Sequence, residues 1–178
     1  MAKVLWHVTM SLDGYIAGPG NSMDWMLGYM DENAEVNALL KNIGAVLSGR
    51  NTYDVGAVQE RREFRGPYGG AWSGPVYVLT HKPPEDPKVT FLSGDIRAAV
   101  ERAGRAAGDR YLVVFGADVA RQCIEANLLD DVVIHVVPVL LGDGVRLFSK
   151  PGGDPIHLEL AGAVRAGQVA NLRLAVVG

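Results

Sequence analysis

Apolar and polar positions follow two rhythms along this chain, and the rhythms take turns. Short, continuously apolar, β-branched runs predict strands covered on both faces over 3–10, 45–48, 75–80, 89–92, 111–115 and 132–141. Helical spacing fills several of the gaps. Val36, Leu39, Leu40 and Ile43 predict a helix over 31–43, with Asp31, Glu32 and Glu35 in its first turn and Gly44 as its stop. Ile96, Ala99, Val100 and Ala103 predict another, capped from Ser93-Gly94-Asp95. Val119, Ala120, Cys123, Ile124 and Leu128 predict a third, with Asp118 as its N-cap. The stretch 111–138 is therefore a strand–helix–strand unit, right-handed if its strands are parallel neighbours. Near the end the rhythm becomes alternation over 156–164 and 168–177, joined by Arg165-Ala166-Gly167. That predicts an antiparallel hairpin beside an otherwise parallel sheet.

Two segments carry neither rhythm. Residues 11–29 form a long Gly/Pro/Asn-rich connection, and long loops in compact domains are usually functional or disordered. Tyr15, Ile16 and Trp25 are too apolar for a solvated tether, so a loop packed over something is expected. Residues 54–74, with Arg61, Arg62 and Arg65 among glycines, read as a mobile surface excursion.

At 178 residues the chain suits a single domain, 1–178, large enough for a real core. Twenty acids against seventeen bases give a formal charge of −3, without the basic face that nucleic acid demands. The single cysteine, Cys123, excludes an intramolecular disulfide and a cysteine-cluster metal site, and its place on an apolar helix face predicts packing. No apolar run reaches membrane-spanning length and no signal-peptide core opens the chain, so a soluble cytoplasmic protein is expected. His7 is expected to be a packed, hydrogen-bonded core residue, and His135 and His157 to be structural.

The candidate chemistry lies where strands stop. Gly49, Arg50 and Thr52 follow one strand, Thr80, His81 and Lys82 another, Ser93 a third, and Gly116 a fourth. In open α/β sheets, ligands lie outside the carboxyl ends of strands. A helix that starts at such an end offers free backbone N–H groups, which makes an anion site, although many such turns bind nothing. Together these residues describe a crevice with backbone donors, hydroxyls and cations, suited to an extended phosphorylated ligand. Cations at strand ends suit a 2′-phosphate, where a ribose site would want a carboxylate. No Gly-x-Gly-x-x-Gly follows any strand, which disfavours a classical Rossmann dehydrogenase.

In this order, Met10-Ser11-Leu12-Asp13-Gly14-Tyr15-Ile16-Ala17, the Gly49-Arg50-x-Thr52 turn, the Val78-Leu79-Thr80 strand end, the Gly116 turn and the run from Pro138 to Phe148 resemble the dihydrofolate reductase-like superfamily. The nearest branch is the reductase domain of bacterial riboflavin biosynthesis (RibD C-terminal-like) and its single-domain relatives. The resemblance implies a three-layer α/β/α fold, with a mixed, mostly parallel sheet and an antiparallel C-terminal hairpin. It implies an NADPH-dependent oxidoreductase. Gly49, Arg50, Asn51 and Thr52, with Leu79, Thr80, His81 and the neighbouring Lys82, would take the adenine 2′-phosphate and pyrophosphate. Gly116, Ala117, Asp118, Val119 and Ala120 would cradle the pyrophosphate, and Val8, Thr9, Ile16 and Trp25 would surround the nicotinamide. The Gly-Gly pair usual in the family at the last turn is Gly116-Ala117 here.

Hydride transfer to a small polar heterocycle, pyrimidine- or pterin-like, is the activity this implies. Asp13 is the first candidate for polarising the substrate or for holding the loop; Asp31 is the second, as substrate anchor or proton route. Two alternatives stand beside it: an NADP(H)-binding sensor without turnover, and a reductase of another carbonyl or quinone compound. Apolar strands near a sheet edge, together with the resemblance, imply a homodimer.

Overall fold

The computed structural model describes residues 2–58, 65–85 and 88–177. The strands expected from the apolar runs are β1 (Val4–Ser11), β3 (Ile43–Gly49), β4 (Val76–Leu79), β5 (Thr90–Leu92), β6 (Tyr111–Phe115) and β7 (Asp131–Val137). Shorter β2 (Tyr15–Ala17) and β8 (Val145–Arg146) and the long hairpin β9 (Leu158–Ala166) and β10 (Val169–Val176) complete the set. Eight strands join one sheet in the order β5-β4-β3-β6-β1-β7-β10-β9. All pairs from β5 to β7 are parallel, and β10 runs antiparallel to both β7 and β9. The α/β fold with its C-terminal antiparallel hairpin is thus as the sequence indicates.

Among the described residues, four α-helices accompany the sheet: α1 (Ala34–Leu40), α2 (Arg50–Val58), α3 (Ile96–Ala107) and α4 (Ala117–Glu125). Side chains alternate across β1, so its residues divide between two cores. Val4 and Trp6 join Ala45, Leu47, Leu112 and Val114 against Ala99 and Ala103 of α3 and Val119 and Cys123 of α4. Leu5 joins Val46 and Val113 on the other side, against Leu39 of α1 with Tyr68 and Trp72. Burial pushes the Cys123 thiol up to about 12, which fits its packing role.

Three expectations need correction. The first helix begins at Ala34, with Asn33 as its N-cap, and ends at Leu40. Asp31 stands exposed ahead of the cap, and Ile43, fully buried, opens β3 instead. An apolar residue four past Leu39 satisfies a strand start as well as a helix stripe. Second, α4 is capped by Gly116, whose φ of 91° a residue with a Cβ adopts only under strain. Asp118 sits inside the first turn and accepts from Arg121 and Gln122. Third, 54–74 is not simply a surface excursion. Its first residues continue α2, and a 3-10 turn, Pro67–Gly70, lays Tyr68 against the core. Residues 59–64, with Arg61 and Arg62, lie outside the described residues.

Candidate active site

Because β3, β4, β6, β1 and β7 are parallel, their carboxyl ends lie on one edge, and the order of the strands decides which tips meet. Gly49 pairs with Leu79, and Ser48 with Phe115, so the β3 tip lies between the β4 and β6 tips. The two polar turns touch. A Cβ on Gly116 would lie 2.6 Å from Thr52 Oγ1, and one on Gly49 would lie 3.3 Å from Val119 Cγ2. The backbone of the α4 turn therefore comes up against the hydroxyl side of the α2 turn. A side chain at Gly116 would have to displace the Thr52 hydroxyl.

Arg50 is held in place at this edge. Its Nε donates to Asp54 Oδ1 at 2.7 Å, and its Nη1 donates to the Lys82 carbonyl, which binds the β3 tip to the chain beyond β4. A guanidinium anchored at two points is preorganised for an anion, since less side-chain freedom is lost on binding. Thr80 donates its backbone N–H to Leu92, its Oγ1 accepts from Lys82, and His81 is exposed beyond it. Asn51 is exposed, while Ala117 is half-buried and Ala120 fully buried behind the turn. Gly49, Arg50, Thr52, Leu79, Thr80, Gly116 and Val119 are thus brought together, and His81 sits at the margin.

The nicotinamide candidates are spread more widely. Thr9 faces the α1 side, and Val8, its neighbour, packs towards the α3/α4 core. Ile16 and Trp25 belong to the 15–29 segment, where Ile16 lies in β2 and the Trp25 indole donates to the Ser22 carbonyl.

That segment is pinned by Asp13. Its Oδ1 accepts from Ser11 Oγ at 2.7 Å and from the Leu141 N–H at 3.0 Å, while Oδ2 accepts from the Gly142 N–H at 2.7 Å. These bonds, led by the Ser11 hydroxyl, hold its carboxyl down at about 2. Leu12 N–H donates to Val139, Leu147 N–H donates to Gly14, and β2 pairs with β8. Gly144 passes so close to Ala17 that a Cβ would lie 2.0 Å from its carbonyl oxygen. The two most specific sequence motifs, 10–17 and 138–148, are therefore one structural unit. Asp13 is its latch, with both oxygens engaged by this chain.

The sequence reading missed a polar chain on the α1 side of the sheet. His7 and His135 are buried, with Nε2 atoms 2.5 Å apart. His135 Nδ1 is 2.5 Å from Asn171 Oδ1, and His7 Nδ1 is 2.8 Å from the Tyr68 hydroxyl. Asn33 Nδ2 donates to Asn171 Oδ1 at 2.9 Å. Burial, reinforced by the neighbouring His135, lowers the pKa of His7. Burial also lowers that of His135, against the opposing pull of Asn171 and Glu35. Both shifts favour the neutral ring. The only sequence signal was a histidine within each of two apolar runs.

The strand tips of this α/β sheet thus gather a glycine-capped helix start, a hydroxyl and an anchored arginine. The chain belongs to the RibD C-terminal domain family, whose model matches residues 2–172. It is 28% identical over 173 residues to the uncharacterized protein YwjB of Bacillus subtilis (strain 168), covering 96% of this chain and 95% of that one. A crystal structure from Shewanella sp. PV-4, named for riboflavin biosynthesis, superposes with a TM-score of 0.81 at 23% identity over the full length of both chains. The Thermotoga maritima diaminohydroxyphosphoribosylaminopyrimidine deaminase/5-amino-6-(5-phosphoribosylamino)uracil reductase superposes at 0.71 with 14% identity. That match covers 99% of this chain and 57% of that one. These likenesses establish the fold. Among the described residues no helix is long and apolar enough to cross a membrane, and no group of His, Cys, Asp or Glu is placed to hold a metal ion.

Proposed function

We propose that this protein is an NADPH-dependent oxidoreductase that delivers a hydride to a small polar heterocycle of the pyrimidine or pterin kind. The observation that carries the reading is the packing of the Gly116 turn against Thr52, beside Arg50, at the carboxyl ends of adjacent parallel strands. This cradle fits a dinucleotide, because the start of α4 offers backbone donors at its positive end beside the Thr52 hydroxyl and the anchored Arg50. When bound, NADPH supplies the hydride. The first-turn N–H groups of α4 and the Thr52 hydroxyl would hold its pyrophosphate, and Arg50 with Thr80 the adenine-side phosphate. Thr9, at the tip of the central strand β1, faces the substrate side. The 11–29 segment, latched by Asp13 to 139–144, covers the reacting carbons and keeps water away.

The protein works as a cytoplasmic homodimer in this reading. The exposed Leu158, Leu160 and Val164 of the edge strand β9 support association. The test is NADPH oxidation, followed by its absorbance, with a panel of pyrimidine, pterin and quinone substrates. Turnover of a pyrimidine or pterin is expected. Tight NADPH binding with no turnover on any member would favour a sensor, and no binding at all would end the reading.

A further inference from the structure

The chain Asn33–Asn171–His135–His7–Tyr68 has a fixed polarity, and a backbone group sets it. Asn33 Oδ1 accepts the Glu35 N–H at 3.1 Å as the N-cap of α1, and a backbone donor cannot reverse. Asn33 Nδ2 must then face Asn171, whose Oδ1 accepts it; turning the Asn171 amide over would set two NH2 groups against each other. His135 Nδ1 therefore carries a hydrogen towards that same oxygen. A neutral His135 then has a bare Nε2. His7 Nε2, 2.5 Å away, must donate to it, so His7 Nδ1 is a bare acceptor. The Tyr68 hydroxyl donates to that acceptor at 2.8 Å.

This acceptor lies beside the proposed reaction centre. His7 and Thr9 share a face of β1, Thr9 is directly opposite His135, and His135 is directly opposite Asn171. The group now occupying it is a planar ring. Tyr68 stacks on His7 with centroids 5.4 Å apart and planes at 24°, and tilts at 60° against Phe115, which ends β6. It is held there at some cost. Its φ is +57°, uncommon for a bulky residue, in a turn with Gly66 at +62° and Gly69 at +60°.

We propose that His7 Nδ1 is the acceptor for the N–H or O–H edge of the heterocyclic substrate, that Asn33, Asn171 and His135 fix its tautomer, and that Tyr68 competes with the substrate for this subsite. The proposal rests on the reductase reading for its purpose but not for its test. His7 is the residue that touches ligand; His135 and Asn171 are positioning residues that act through it. A ring lacking a donor edge would leave the acceptor unpaired in a buried place, so the subsite selects for that edge.

The test is calorimetry with uracil and with 1,3-dimethyluracil, whose ring N–H groups are blocked, with and without saturating NADP+. Uracil should bind wild type measurably and Tyr68→Ala at least tenfold more tightly. Adding His7→Leu should abolish that gain, and dimethyluracil should bind none of them. Tyr68→Phe, which keeps the ring but loses the hydroxyl, should show a smaller gain and remains informative if Tyr68→Ala does not fold. Nitrogen NMR of the imidazoles should find His7 protonated at Nε2 and His135 at Nδ1, and His135→Leu should scramble the His7 tautomer. Equal binding of both probes, no binding of uracil to any variant, no gain in the Tyr68 variants, or a His7 protonated at Nδ1 would overturn the proposal. Failure of NADPH to bind would end the reductase reading while leaving these results to stand or fall separately.

Discussion

The two faces of the sheet are built from the same strands, yet they differ in kind. Against α3 and α4 the packing is mostly aliphatic, and the Trp6 indole N–H is the one buried side-chain polar atom without a partner among the described residues. Against α1 the apolar packing of Leu5, Val46 and Val113 gives way, towards the hairpin, to His7, His135 and Asn171. An aliphatic face needs only volume and shape, and tolerates repacking. A buried polar face needs each donor matched to an acceptor, because an unmatched group costs about 1–3 kcal/mol. The first face supplies stability. The second offers directional groups next to the strand tips, and that is where recognition can be written.

Substitutions on the two faces should separate these roles. Leu47→Ala, at a fully buried position on the aliphatic face, should cost about 2–5 kcal/mol in urea unfolding and leave the affinity for NADPH nearly unchanged. A cost below about 1 kcal/mol would mean that this core is looser than its packing indicates. His135→Leu should cost less, about 1–3 kcal/mol, because it strands His7 Nε2–H and an Asn171 lone pair. Replacing His7 and His135 by Leu together should cost less than the sum of the two single changes. Additivity would show that the two rings do not act as a pair.

Acid should then find one face and not the other. Folded His7 and His135 titrate below their ordinary range, whereas the unfolded chain takes up these protons near pH 6.5. The unfolded state therefore holds more protons just below that pH. Stability should be level at neutral pH, fall as the pH drops through about 6.5, and continue to fall towards the folded pKa values. The double Leu variant should lose this slope; an unchanged slope would place its origin elsewhere. The smallest effect belongs to Asp13. Its carboxyl sits at about 2 in the fold, so its contribution is complete above its ordinary value of 3.8 and is lost as pH falls from there towards 2. Asp13→Asn should flatten that last step in an acid titration of stability.

Much of the scaffold could be read from the sequence, because aliphatic runs and helical stripes are local signals. β6 is read to the residue, and α3 is capped by Asp95 through the Ala98 N–H as expected. The meeting of the polar strand tips was also legible, since polar residues closing apolar runs must share an edge once the strands are parallel. Other features depend on packing. The helix α2 carries Gly56 and polar residues with little apolar stripe, so its periodicity is silent. The polar chain joins residues 7, 33, 68, 135 and 171, and no spacing in the sequence announces that they meet. Tyr68 gave even less warning, lying in a glycine-rich stretch that reads as surface.

The central claim is that the gathered strand tips bind the phosphates of NADPH. Calorimetry with NADPH and NADH, on wild type and Arg50→Ala, tests it most directly. The account predicts that NADPH binds more tightly than NADH, and that Arg50→Ala weakens NADPH by roughly ten- to a hundredfold, as loss of a charge-assisted contact should, with little change for NADH. No heat with either cofactor, or an equal loss for both, would contradict it.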